Sequence, residues 1–282
     1  MATNTTVIVD NLNNQYQSNI ESKTVAFPLV NMSLQADLMN QGDTVVVKYM
    51  NNIDLDTAAS SGLAISETAY VELSDSLVVD QTKNKNFQIK DIEEIRNNLS
   101  AQMKLTELIS SAAARNLDKY ALATAVAGAG TVLNSGAPVT LTETTIFGEI
   151  EDMRVTHDEA GLESDGSQYL FVDAKRASLI RQSPVYTGTA QGVSVREKAY
   201  LGYFSWYEVY QSNHIPTADA AVNTYMVAFD DESINGAEQM NKFKVTDGAN
   251  SMSSNLLFEN VYGMDVLGLN PARIVANKIT VA

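Results

Sequence analysis

The chain has 282 residues, 45% of them hydrophobic and 19% charged, with a formal net charge of −15 and no cysteine. That balance describes a folded, acidic chain with enough length for one large or two modest domains. It argues against a sequence-reading nucleic-acid binder, whose footprint is a basic patch, and excludes disulfides, thiolate metal sites and cysteine nucleophiles.

Residues 1–41 are polar and rich in Asn, Gln and Ser. Their apolar pieces are short: Val7 to Val9, and Val25 to Val30 around Pro28. The first half cannot form a core, so the segment reads as an arm that frays or lies on something else. Met32 to Met39 has the pattern of a short helix. The N-terminus has neither the positive nor the apolar region of a secretory signal, and no run reaches the ~20 apolar residues of a membrane span. Both features lead to the expectation of a protein that is soluble and intracellular when made. The glycosylation sequons at Asn4 and Asn31 carry no meaning without secretion.

Residues 42–89 switch period. Gly42 to Met50 is a β-branched run. Ala69 to Asp80 alternates, with Val71, Leu73, Leu77 and Val79 on one side and Tyr70, Glu72, Ser74 and Ser76 on the other, as a half-exposed strand does. A polar segment, Asn51 to Thr68, separates them. The pair predicts a two-stranded β-arm with a loose tip. A lone hairpin is marginal in water, so the arm must fold back on its own chain or rest on a neighbour.

Lys90 to Gly130 predicts one long helix. Ile92, Ile95, Leu99, Leu105, Leu108, Ile109, Ala112, Leu117, Tyr120 and Ala121 recur at helical spacing, and no proline interrupts them. Asp91 with Glu94 resembles a capping box. Gly128 and Gly130 end the helix, because glycine tolerates the left-handed conformation of a C-cap. Such a helix is long against the usual 11–12 residues.

Gly128 to Pro138 reads as a loop and Thr144 to Glu159 as a second amphipathic helix, with Ile146, Phe147, Ile150, Met153 and Val155 inside. Gly161 to Ser167 is a break. An α/β pattern follows: strand Tyr169 to Asp173, helix Ala174 to Gln182, loop Ser183 to Lys198, aromatic strand Phe204 to Ser212, strand Thr224 to Asp230, short helix Ser233 to Met240, and strand Lys242 to Thr246. Asn255 to Leu267 and Ala272 to Val281 hold two more elements.

No catalytic constellation stands out. The two histidines, His157 and His214, lie in no spaced ligand cluster and read as surface or loop residues. The acidic groups Glu149, Glu151 and Asp152, then Asp158 and Glu159, are no more than 34 acidic residues produce by chance. Asp230, Asp231 and Glu232 suit the N-terminus of the helix predicted from Ser233. Gly128-Ala-Gly130 follows a helix and is no dinucleotide fingerprint. Trp206, Tyr207 and Tyr210 could stack bases, but without basic neighbours a strand-core role fits better. No catalytic, cofactor or metal residue is assigned.

The ordered set is similar to the major capsid proteins of tailed phages with the HK97-type fold. The matching pieces are the N-terminal arm, GDTVVV, LVVDQTKNKNFQIKD, the long helix ending AAARNLDKYALAT, YLFVDAKRASLIR, GYFSWYEVYQSNHIP, YMVAFDDESINGAEQM and FENVYGMDVLGLNPARIV. The resemblance implies an α+β fold divided into an N-terminal arm (1–41), an E-loop β-arm (42–89), a peripheral domain with a spine helix (90–164), an axial domain (165–250) and a return to the peripheral domain (251–282). It implies a non-enzymatic coat protein that assembles through pentamers and hexamers into an icosahedral shell around double-stranded DNA, in the bacterial host cytoplasm. Its partners would be other copies of itself, a separate scaffolding protein, a portal, decoration proteins, and DNA held without sequence-specific contact. No long scaffolding-type segment precedes the arm, which is why a separate scaffold, or assembly driven by the arm, is expected. A negative lining would avoid trapping the packaged phosphates. Some members cross-link through Lys–Asn isopeptides; Lys48, Lys83 and Lys85 lie near the β-arm and read as solvated. The competing readings are an encapsulin-like shell enclosing cargo enzymes, a hydrolytic enzyme built on residues 168–246, and a monomeric binding module using Trp206 to Tyr210.

Overall fold

A computed structural model describes residues 16, 18–20, 22–37, 42–50, 72–90, 99–160, 167–183, 199–220, 222–247 and 253–280. The expectations for Asp91 with Glu94, for the loop after Ser183 and for the arm's tip lie outside them.

Helix α1, Leu99–Ala127, has 29 residues, about 43 Å at 1.5 Å per residue. It does not begin at Lys90. Gln81–Lys90 is instead strand β3, which pairs antiparallel with β11 (Ser253–Asp265), itself paired with β10 (Asn235–Asp247). One face of α1 is buried: Ile109, Ala113, Leu117, Ala121, Leu122 and Ala125. Leu108, which the periodicity places on the apolar stripe, is 68% exposed.

The glycines after α1 work by close approach. Neither Gly128 nor Gly130 has a positive φ. A Cβ at Gly128 would lie 2.8 Å from the Val266 Cβ, and one at Gly130 would lie 2.7 Å from the Pro271 carbonyl carbon. The Gly130 N–H donates to the Pro271 oxygen at 2.7 Å. The chain leaves the helix pressed against residues 266–271, which only glycine allows.

The second sheet has seven strands in the order β4 (Thr131–Val132), β12 (Val275–Thr280), β9 (Asn223–Asp230), β5 (Gln168–Val172), β7 (Tyr207–Gln211) and β6 (Tyr200–Phe204), with β8 (Thr217–Ala218) beside β9. β5 is buried along its whole length because both faces are covered. Tyr169 and Phe171 face the core shared with α1, where Phe171 stacks on Phe229 at 5.4 Å. Leu170 and Val172 face the other core, with Ile146, Ile150 and Met153 of α2 (Ile146–Glu159) and Ala177 and Ile180 of α3 (Ala174–Gln182). α3 runs over the range that the sequence predicts, capped by the Asp173 carboxylate, which accepts from the Arg176 N–H at 2.9 Å.

Several local expectations are corrected. Ser233 to Met240 is not a helix; Asn235 opens β10, and Asp230 to Ser233 is the turn between β9 and β10. Phe204 to Ser212 is not one strand but the end of β6, a two-residue turn and β7. Ser205 and Trp206 have φ of 48° and 68°, the left-handed pair of a type I′ hairpin. The loop after α1 holds β4. Val155 is 45% exposed on the outer side of α2. Only Gln35–Asp37, a 3-10 turn, is helical within the described part of Met32 to Met39.

The later part of the N-terminal segment is packed and not frayed. Tyr16, Ile20, Val25, Ala26, Leu29 and Val30 are buried in the α1 core. The sheets also cross the sequence intervals. β10, all of which falls within 165–250, belongs to the three-stranded sheet, while β12, from 251–282, belongs to the seven-stranded one. Strand pairing joins segments distant in sequence, so a division drawn at composition breaks does not follow the layers.

Candidate assembly interfaces

The predicted β-arm is a hairpin. β1 (Thr44–Tyr49) pairs antiparallel with β2 (Leu73–Val78), in a register running from Thr44 opposite Val78 to Tyr49 opposite Leu73. The alternation read in the sequence decides which face turns inward. Leu77 and Val79 are buried with Ala237, Val261 and Leu267, and Val45 and Val47 pack against that cluster. The Asp75 carboxylate accepts from the Gly268 N–H at 2.8 Å. The hairpin base is therefore fixed to its own chain.

The outer face is a different surface. Val46 is 59% exposed, and Val78 and Met50 are also exposed apolar residues. Lys48, on the same face, is ion-paired with Glu72 at 3.0 Å. Lys83 and Lys85 are exposed on β3. At the far side of the seven-stranded sheet, the β6–β7 turn presents Trp206, 70% exposed, in edge contact with Tyr203. Tyr207 and Tyr210 point into two different cores, so the three aromatics form no common platform.

The N-terminal segment is clasped to α1 by one carboxylate. Asp118, 2% exposed, accepts from the backbone N–H groups of Val25, Ala26 and Phe27 at 2.9–3.1 Å. Burial pushes its carboxyl above the ordinary value, and the three N–H groups and nearby His214 pull the other way. Sequence reasoning missed this residue. A lone Asp in an amphipathic helix gives no sign of what it meets 91–93 residues away.

The candidate chemical residues are dispersed. His157 is buried, not at the surface: Nδ1 is 2.7 Å from the Tyr207 hydroxyl and Nε2 is 2.8 Å from the Arg273 carbonyl oxygen. Since the carbonyl only accepts, Nε2 carries the proton and Nδ1 accepts from Tyr207. His214 lies in a turn, where its backbone N–H donates to the Ser212 hydroxyl. Glu149 accepts from Asn277, Glu151 from Ser205, and Asp158 is paired with Arg154. Asp230, expected at a helix N-terminus, instead braces the β9–β10 turn through Ser233 and an ion pair with Arg273 at 2.7 Å.

These features define a class. The subunit spends its sequence on a long helix, two layered sheets and an own-anchored hairpin with an apolar outer face, which is the build of a subunit that works through surfaces. A family profile described as phage capsid protein matches residues 74–252. No curated protein matches the chain in sequence. Among solved structures, that of Mycobacterium phage Che8 is 20% identical, covers 90% of each chain and gives a TM-score of 0.70. The capsid of the cyanophage P-SCSP1u is 16% identical, covers 92% of this chain and 89% of that one, and gives 0.69. A virus-like particle from Pyrococcus furiosus shares the fold at 11% identity and a TM-score of 0.55, over 95% and 98% of the two chains. The chain belongs to the phage capsid protein family and is a major capsid protein with the HK97-type α+β fold. As such it is a structural component of a virion that associates with copies of itself into capsomers.

Proposed function

We propose that the subunit assembles through pentamers and hexamers into an icosahedral shell around double-stranded DNA, and that it has no catalytic activity. The observation that carries this reading is the two-faced hairpin. Its inner face is fixed to its own chain by Leu77 and Val79, while Val46, Val78 and Met50 stay exposed on the outer side. An apolar strand face left open on an anchored hairpin suits a neighbouring subunit.

The E-loop is residues 42–89 and the arm is residues 1–41. The peripheral layer is α1 with β3, β10 and β11. The axial layer is the seven-stranded sheet with α2 and α3, and its Trp206 turn faces the symmetry axes. A separate scaffolding protein, a portal and decoration proteins complete the particle, which forms in the host cytoplasm. With a net charge of −15, the shell encloses its DNA without neutralising many phosphates.

The encapsulin-like alternative shares the fold, and the phage capsid profile favours the phage reading over it. A hydrolase on residues 168–246 finds no support in His157, whose two ring nitrogens are both engaged in holding the fold. Deleting Asn51 to Thr68 tests the hairpin's role. The variant should fold with an unchanged circular-dichroism spectrum and remain as unassembled subunits by sedimentation. Shells formed at the normal yield would remove the E-loop from the assembly.

A further inference from the structure

Two apolar residues stand open on helix faces of opposite charge. Leu108 on α1 is 68% exposed and Val155 on α2 is 45% exposed, although the helical period of each segment places them inward. Around Leu108, the outward stripe of α1 carries Lys104 four residues before it and Arg115 and Lys119 seven and eleven after it, all exposed. Glu107, the neighbouring acid, is paired with Lys23 at 3.6 Å. Leu108 also edges an apolar groove of about 290 Å³, walled on the other side by Phe87 and Phe258 and rimmed by Lys83 and Lys85.

Around Val155, the outward stripe of α2 carries Gly148 seven residues before it, Asp152 three before it and Glu159 four after it, all exposed. A Cβ at Gly148 would meet nothing within 4 Å, so nothing in its own subunit asks for glycine there. Lys104, Arg115, Asp152 and Glu159 make no ion pair among the described residues.

The two stripes match when the helices run antiparallel. With Leu108 against Val155, Lys104 and Glu159 each lie four residues from the centre, about 6 Å along the axis. Arg115 and Gly148 each lie seven residues out at the other end, about 10 Å. The missing side chain leaves room there for the guanidinium to reach Asp152. One subunit cannot make this contact with itself, because α1 packs in the core on one face of the seven-stranded sheet and α2 in the core on the other. Each subunit therefore keeps a basic and an acidic stripe on opposite sides, the arrangement by which head-to-tail contacts close a ring.

We propose that the α1 stripe of one subunit docks antiparallel on the α2 stripe of the next, with Leu108 against Val155, Lys104 against Glu159, and Arg115 over Gly148 against Asp152. The contact covers both exposed apolar residues and pairs four free charges. It rests on the association of copies into capsomers and names surfaces through which neighbours meet.

The native chain has no cysteine, so introduced thiols report on one contact only. Full-length Leu108→Cys and Val155→Cys chains are mixed under assembly conditions and treated with a short bis-maleimide. The control mixture pairs Leu108→Cys with Val222→Cys, since Val222 is 56% exposed and lies just before β9. Sedimentation of the wild type runs in parallel. The expected product is a 108–155 linked peptide at dimer mass, at least tenfold above the 108–222 link. A wild type that sediments as rings or shells, with the 108–155 link absent or equal to the control, would overturn this interface and leave the association standing. A wild type that stays monomeric would overturn both. Charge exchange gives a second readout. Lys104→Glu or Glu159→Lys alone should cut the yield of assembled particles at least fivefold, and the two together in one chain should restore it. Single reversals without effect, or a folded double variant without restored yield, would overturn the pairing.

Discussion

Gly263 of β11 lies against the backbone of Val78 and Val79, where the hairpin joins the sheet. A Cβ at position 263 would stand 2.8 Å from the Val79 Cα and closer still to the Val78 carbonyl oxygen. Both obstacles are main chain, so no side-chain rotation relieves them. The three-stranded sheet and the hairpin base thus sit this close only because one residue lacks a side chain.

Gly263→Ala should therefore lift the hairpin base from the sheet. Overpacking of this kind costs about 1–3 kcal/mol, and Leu77, fully buried at the junction, would be partly uncovered. The expected result is a lowered thermal midpoint together with reduced assembly. An unchanged midpoint would mean that the hairpin base is free to shift.

Asp118 makes a second prediction. Asp118→Ala leaves the N–H groups of Val25, Ala26 and Phe27 buried without an acceptor. At about 1–3 kcal/mol for each orphaned group, the loss should reach about 3 kcal/mol or more. Asp118→Asn keeps one oxygen, able to serve Ala26 and Phe27, and should lose less. Denaturant midpoints of the two variants check the order, and equal losses would contradict the clasp.

His157 makes the fold sensitive to acid. Burial holds its imidazole below the ordinary value of 6.5. Protonating Nδ1 would turn the Tyr207 hydroxyl from donor to acceptor and leave its hydrogen without a place. The unfolded chain takes up the proton near pH 6.5 and the folded chain only at lower pH, so the unfolded state binds more protons in between. This contribution to stability is fully present above about pH 6.5. It falls as pH drops through the window to the folded value, and is flat below. His157→Gln should remove that slope from a plot of denaturant midpoint against pH between 7.5 and 5.

How much of this was legible depends on the range of the interactions. β1, β2, β5, α2 and α3 announced themselves because their period is local and one face, or both, is buried. The capsid resemblance rested on their order. Ser233 to Met240 misled because its composition suits a helix, while Asn235 to Met240 pairs in β10–β11 with Asn260 to Asp265, 20 to 30 residues on. The Ser205-Trp206 turn was hidden because neither residue is a usual left-handed one. Asp118, Gly263 and Gly130 were illegible for one reason. Each answers to a backbone segment far away in sequence, and a single chain read without its fold does not name that partner.

This subunit works by joining copies of itself. Electron microscopy of the purified protein, alone and with the proposed scaffolding protein, is the sharpest test. The account predicts closed shells, or rings of five and six subunits that convert to shells. A subunit that stays monomeric at high concentration under both conditions would contradict it.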